Sequence, residues 1–251
     1  MRDVVGTTKE EIRLIKSIQR KVGALDNGYI GCQTLSDIAI DLGVDCFPLN
    51  VTLYGQPTII SKEIDPISPV DSLPKNSISG SFNGGTYPCS ILVSRTQGIK
   101  RWCSCHFESK HPETVIYKLK NGTVGVKKVV CITDEFNLNE LEIAVGGFGL
   151  LDMWDPKGEG FTGKYSDVLR KTNHTVLGFR NGMFYGVYFN NMTAQQINVE
   201  CKNKFKFDFA IMLDGGHVTA INAECNKINT KLIQYYAIKF EQGGQYERST
   251  C

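Results

Sequence analysis

Phe209-Ala210-Ile211-Met212-Leu213-Asp214-Gly215-Gly216 is an unbroken apolar run closed by a carboxylate and two glycines. A run without polar alternation has the pattern of a central strand buried on both faces. The two glycines allow backbone to approach a ligand closely, and the carboxylate is carried at the end of a rigid element. Asp-Gly-Gly is also an ordinary turn, so by itself the tripeptide leaves a purely structural role open.

Upstream of this strand the sequence predicts one helix. Thr193 and Gln196 form a capping box, in which each side chain satisfies a backbone N–H of the other, and the segment runs to about Asn203. Before it stand two Asn-Gly turns between strand-like runs, Lys120-Asn121-Gly122-Thr123 and Arg180-Asn181-Gly182-Met183. These are strong short-range hairpin signals. They predict the pairs Thr114–Leu119 with Val124–Ile132, and Thr175–Phe179 with Phe184–Phe189. Downstream, Val218–Glu224 and Lys231–Phe240 read as a closing hairpin. Thr58–Ser61 reads as the first strand of this β-rich region.

The N-terminal segment has a different character. Thr8 and Glu11 read as another capping box, followed by Ile12, Leu14, Ile15 and Ile18 at helical spacing and a stop at Gly23. Asp26-Asn27-Gly28 is a tight turn. Leu35, Ile38, Ala39 and Leu42 then repeat the helical period up to Gly43, placed as a left-handed terminator. From Asp45 onward Pro48, Pro57, Pro66, Pro69 and Pro74 punctuate a stretch without helical period. The organisation expected is a helical module over 1–44, a linker over 45–57 and a large domain over 58–251. The fold class is α+β: a small helical module followed by a mixed, β-rich domain.

Bulk properties exclude several functions. A net charge of +2, with basic residues scattered, gives no electrostatic footprint for nucleic acid. There is no eighteen-residue apolar run to span a membrane. Met1 is followed by polar sequence without an apolar targeting core, which predicts synthesis in a cytoplasm. The nine cysteines are read as mostly buried free thiols of a reducing compartment. Cys103 and Cys105 lack a second pair at zinc-finger spacing, so neither a metal nor a cofactor is expected.

Two resemblances emerge. Ile15-Lys16-Ser17-Ile18-Gln19-Arg20-Lys21-Val22-Gly23, the Asp26–Gly31 turn and Thr34-Leu35 resemble the helical peptidoglycan-binding domain family. The departures are Ile18 for leucine and an inserted Asn27. The resemblance implies binding of a cell-wall glycan, with Gln19, Asp26, Tyr29 and Thr34 as its wall-binding residues. A helical hairpin that only dimerises or packs on the main domain is the alternative.

In the large domain the order of segments is informative. A small-residue loop (Asn76–Gly85) precedes a Gly-Gly strand (Val145–Gly149). Thr172–Phe179 then leads into the second hairpin, followed by the capped helix, the apolar strand and Asp214-Gly215-Gly216. This order resembles the phosphodiester glycosidase family. Ser79-Gly80-Ser81-Phe82 stands at that family's Asn-Gly-Gly-Phe motif, and His174-Thr175 at Arg-Thr. Leu213–Val218 stands at Leu-Asp-Gly-Gly-Gly-Ser. Three positions depart: His174 for arginine, His217 for glycine and Val218 for serine. Losing the arginine weakens the case for a phosphodiester substrate, because imidazole supplies neither the fork nor the permanent charge.

Glycosidic cleavage needs an acid to protonate the leaving oxygen and a base or nucleophile at the anomeric side. Asp214 is the first candidate, with His174 or His217 as partner. Ser79, Gly80, Ser81, Asn83, Gly146, Gly147, Thr175, Gly215 and Gly216 are the candidate substrate-binding positions. The expected activity is that of a phage-type lysin cleaving peptidoglycan or an associated wall glycan after release from the cytoplasm. The alternatives are a binding protein that has lost catalysis and a cytosolic enzyme acting on a small sugar phosphodiester.

Overall fold

The computed structural model describes residues 4–5, 9–21, 29–30, 51–61, 75–80, 82, 89–94, 99–101, 103, 111–216, 219–223, 226–228 and 236–241. The chain divides into two compact units, Met1–Asn50 with Arg248–Cys251, and Val51–Glu247.

In the smaller unit, helix α1 spans Lys9–Lys21, and the two-residue strands Val4–Val5 and Tyr29–Ile30 pair antiparallel. Ile15 and Gln19, one helical turn apart, are buried, whereas Leu14 is exposed. Leu14 therefore belongs to the outer face and not to the expected apolar stripe. The second helix expected near Thr34–Leu42 lies outside the described residues.

The described residues of the larger unit form thirteen strands in one sheet. These are β1 (Val51–Ser61), β2 (Ser77–Ser79), β3 (Leu92–Ser94), β4 (Ile99–Arg101), β5 (Glu113–Leu119), β6 (Val124–Val129) and β7 (Leu141–Gly149). They continue with β8 (Thr172–Arg180), β9 (Met183–Met192), β10 (Phe209–Gly215), β11 (Ile221–Ala223), β12 (Asn226–Ile228) and β13 (Tyr236–Glu241). Along the sheet the order is β12-β11-β2-β13-β1-β9-β8-β10-β7-β3-β4, with β5 pairing both β7 and β6. Helix α2 (Ile132–Glu135) follows β6, and α3 (Ala194–Asn203) joins β9 to β10.

Both Asn-Gly turns form where the sequence places them. Asn181 and Gly182 have φ of +51° and +77°, both left-handed as a two-residue hairpin turn requires. At the other turn only Gly122 is left-handed. The Gly122 amide donates to the Leu119 carbonyl and the Leu119 amide to the Thr123 carbonyl, giving a turn closed by a bulge. Thr193 and Gln196 form the capping box at the start of α3.

The alternation along β10 explains its all-apolar sequence. Ile211 and Leu213 join a core with Leu177, Phe184 and Ile238, while Ala210 and Met212 pack with Val176, Phe189 and Ile197 of α3. The first core also unites Ile78 and Ile221 from one end of the strand order with Leu92, Ile116 and Val145 from the other. The sheet therefore coils around this core. Burying one such aliphatic side chain is worth roughly 1.5–3 kcal/mol.

Three expectations are corrected. β1 begins at Val51 and pairs with β9 from Tyr188↔Val51 to Phe184↔Gly55. Residues 51–57 are thus strand, not linker. Pro57 is tolerated because Phe240, its partner on β13, donates its amide to Asn76 on the far side. Pro57 and Phe240 therefore form a non-hydrogen-bonded pair. The proline nitrogen then faces the edge where β9 pairing has already ended. Second, β11 and β13 do not pair as a closing hairpin. β2 lies between them, through Ile221↔Ile78 and Ala237↔Ser79. Third, Cys103 and Cys131 form a disulfide, so these two are not free thiols; Cys201 is a buried thiol.

Candidate functional site

β8 and β10 pair antiparallel, with Val176 opposite Met212 and, after a register shift, His174 opposite Gly215. The shift bends both strand ends and brings the Asp214-Gly215-Gly216 turn over residues 170–175. Asp214 is half-buried, and its Oδ1 accepts a hydrogen bond from the Gly215 amide at 2.9 Å. The chain then returns under its own constraint. The Thr219 hydroxyl donates to the Asn173 carbonyl at 3.0 Å, and the Thr219 amide to the Gly216 carbonyl at 3.3 Å.

The third segment arrives through β2. Ser79 Oγ lies 3.3 Å from Thr175 Oγ1 and accepts from the Ala220 amide at 3.2 Å. Ser79 and Thr175 are both fully buried. Segments 77–80, 170–175, 214–216 and 219–220 thus lie together, with Ser79 against Thr175, His174 against Gly215, and Asp214 carried on the same strand end. Gly80 follows β2 and is buried. Ser81, Asn83 and His217, together with Asp26 and Thr34 of the N-terminal unit, lie outside the described residues. Tyr29 pairs through its backbone with Val5.

His174 is only 1% exposed. Its Nε2 lies 3.2 Å from the Arg170 carbonyl, an obligate acceptor, so Nε2 donates in that pairing. Nδ1 has no hydrogen-bond partner among the described residues. Burial pushes the His174 pKa below its ordinary value, disfavouring the charged ring. A Cβ on Gly215 would stand 2.6 Å from Nδ1. The ring therefore packs directly against the Asp-Gly-Gly turn.

Other expectations change for steric reasons. Gly146 and Gly147 were candidates for ligand approach, but both are buried by the protein itself. A Cβ on Gly146 would meet the Glu113 carboxyl, and one on Gly147 would lie 2.6 Å from the Met212 carbonyl oxygen. Their lack of side chains serves packing. Gln19 is fully buried, which removes it from any contact surface.

The sequence reading missed a second polar cluster at the end of β7. Glu113 and Glu159 are each 1% exposed. Glu113 accepts from the Ile91 amide at 2.8 Å. Glu159 accepts from the Thr114 hydroxyl at 2.6 Å and the Gly149 amide at 3.1 Å, with Lys128 Nζ at 3.7 Å. Burial raises the Glu159 pKa from 4.5 to about 7. Lys128 also donates to Asp155 at 2.9 Å, which holds that carboxyl below its usual range. Among the described residues no group of three His, Cys, Asp or Glu is placed to hold a metal ion.

No protein-family model matches the chain, and no curated protein matches it. Among solved structures, the chain is similar to the catalytic domain of zebrafish N-acetylglucosamine-1-phosphodiester alpha-N-acetylglucosaminidase, auto-inhibited by pro-peptide. The TM-score is 0.51 at 12% identity, covering 78% of this chain and 73% of that one. A hypothetical protein from Synechocystis matches at a TM-score of 0.35 and 12% identity, over 80% of this chain and 52% of the other. That second likeness is too loose to carry an argument. The first shows a glycosidase-like fold.

Proposed function

We propose that this protein is a glycoside hydrolase acting on peptidoglycan or an associated glycan of the bacterial cell wall, as a phage lysin does, with its N-terminal unit holding the wall. The observation that supports it is the close packing of segments 77–80, 170–175 and 219–220 next to the strand end that carries the half-buried Asp214, within a glycosidase-like fold. Asp214 is the group assigned to proton transfer or nucleophilic attack at the glycosidic bond. Either role is worth several powers of ten in rate. His174, buried against Gly215, holds the turn that presents it. The backbone of Gly216 borders the substrate.

The test is to add the purified protein to isolated cell walls and follow turbidity and released reducing ends. Wild type is expected to clear the suspension, and Asp214→Asn to lose at least a hundredfold in rate while unfolding at the same temperature. Equal behaviour of the two proteins refutes the assignment. A second reading is a sugar-binding protein without turnover, favoured by the engagement of Asp214 Oδ1 with the Gly215 amide. Calorimetry with soluble wall fragments separates them, since tight binding without released reducing ends selects the second.

A further inference from the structure

Between β7 and β8 the chain leaves the sheet as an excursion over residues 150–171. Several of its backbone hydrogen bonds close within it. The Glu159 amide donates to the Asp155 carbonyl at 3.0 Å, the Phe161 amide to the Pro156 carbonyl at 2.8 Å and the Arg170 amide to the Asp167 carbonyl at 3.1 Å. A segment bonded to itself in this way can open as a unit without unzipping the sheet. Its ends are anchored, the first by the Leu151 amide on Asn198 of α3 at 2.6 Å and the second by the Arg170 carbonyl on His174.

The middle is tied down through side chains. Glu159 reaches two strands at once, β5 through the Thr114 hydroxyl and β7 through the Gly149 amide. Beside it the Phe161 ring meets Phe148 of β7 edge-on, 5.0 Å between centroids. The Glu159 side chain is wholly buried, and charged groups surround it from each neighbouring element. Lys128 of β6 stands 3.7 Å away but is shared with Asp155, which it meets at 2.9 Å. Glu113 of β5 adds a further carboxyl, and Lys157 acts on Asp155 from the exposed side of the excursion. The contact from β7 is the uncharged Gly149 amide. At the far end His174 faces the Arg170 carbonyl, and the Arg170 guanidinium pairs with Asp167. One lysine is thus divided between two carboxyls with a third close by, so an ionised Glu159 is poorly compensated once water is excluded. A protonated one keeps both of its hydrogen bonds.

We propose that Glu159 is a proton-operated latch: protonated, it holds the excursion 150–171 against β5 and β7, and ionised, it lets the excursion open as a unit while the sheet stays folded. The excursion ends at the carbonyl that His174 holds, so release also loosens the support of the strand end opposite Gly215. The device is independent of what that strand end binds.

The experiment is native-state hydrogen exchange of the full chain between pH 5 and pH 8, with each observed rate divided by the intrinsic rate of a free amide. A carboxyl that titrates at 4.5 when released and at about 7 when latched increases the opening about 70-fold over this range, levelling off above pH 7. The amides of Glu159, Phe161 and Arg170 are expected to follow that curve. They are also expected to exchange faster than the amides of β10 at every pH, and to respond weakly to low urea, the signature of an opening smaller than global unfolding. Glu159→Gln is expected to hold the opening near the wild-type level of pH 5 throughout. Thr114→Val, which removes one contact and leaves the carboxyl, is expected to raise opening at pH 5 several-fold while keeping the rise with pH. A flat wild-type profile at either end of the excursion overturns the proposal. So does a rise that survives Glu159→Gln, or excursion amides that exchange with the rate and urea dependence of β10.

Discussion

Replacing Glu159 with glutamine separates the protonation of one carboxyl from the contacts it makes. Glu159 receives the Thr114 hydroxyl and the Gly149 amide and is shielded from water. The Gly149 amide can only donate, but the Thr114 hydroxyl can also accept. A neutral carboxyl therefore fits, with its hydroxyl donating to Thr114 and its carbonyl oxygen accepting from Gly149. Glutamine reproduces that arrangement through its amide.

The shift of the pKa from 4.5 to about 7 has a definite sign. The folded protein holds a proton that the unfolded chain releases. This stabilisation is fully present below pH 4.5 and is lost as pH rises through 7. At about 1.36 kcal/mol per tenfold change in acidity, wild type loses about 3 kcal/mol from this group between pH 4 and pH 8. Glu159→Gln loses none of it. Burial lowers the His174 pKa, which acts on stability with the opposite sign. Its contribution is common to both proteins and cancels in their difference. Chemical denaturation of both proteins at intervals from pH 4 to pH 8 is the assay. The variant is expected to gain about 3 kcal/mol relative to wild type across the range, or roughly 5–10 °C in melting temperature at pH 8. A difference that is flat with pH, or falls with it, refutes the argument. In that case the carboxylate is ionised and stabilised by Lys128.

The other stability predictions concern a cross-link and a close approach. Cys103→Ser opens a disulfide that spans 28 positions and is expected to cost about 3 kcal/mol; thermal melting with and without reductant should show wild type falling to the variant's value. Gly147→Ala places a Cβ 2.6 Å from the Met212 carbonyl oxygen, which is backbone of a central strand and cannot give way cheaply. It is expected to lower stability by about 2 kcal/mol in urea denaturation, whereas Gly122→Ala, with open space at its Cβ, pays only for its left-handed φ.

Local physics was legible in the sequence. Asn181-Gly182 specifies its turn by backbone conformation alone, Thr193 and Gln196 satisfy each other across one helical turn, and the run 209–213 announces burial on both faces. What escaped was decided at long range. β2 is three residues long and carries no pattern of its own. Its insertion between β11 and β13 depends on the coiling of the whole sheet. Pro57 looked like punctuation because the sequence does not reveal which edge of the strand its nitrogen faces. Glu113 and Glu159 resemble any surface acids until their neighbours close over them.

The glycines carry the sharpest lesson about the site. In sequence, Gly146, Gly147, Gly215 and Gly216 are alike, four absences of a side chain at strand ends. In the fold they divide by what fills the missing volume. The Glu113 carboxyl, the Met212 backbone and the His174 ring fill three of them, so those three glycines let the protein approach itself. Gly216 is left-handed, and a Cβ there would lie 3.8 Å from Arg170 Nη2 and Thr172 Oγ1, an ordinary contact distance. A motif that reads as a uniform glycine-rich ligand loop is thus, at three of its four glycines, a packing device. Substitutions at those three would be expected to act through position and stability.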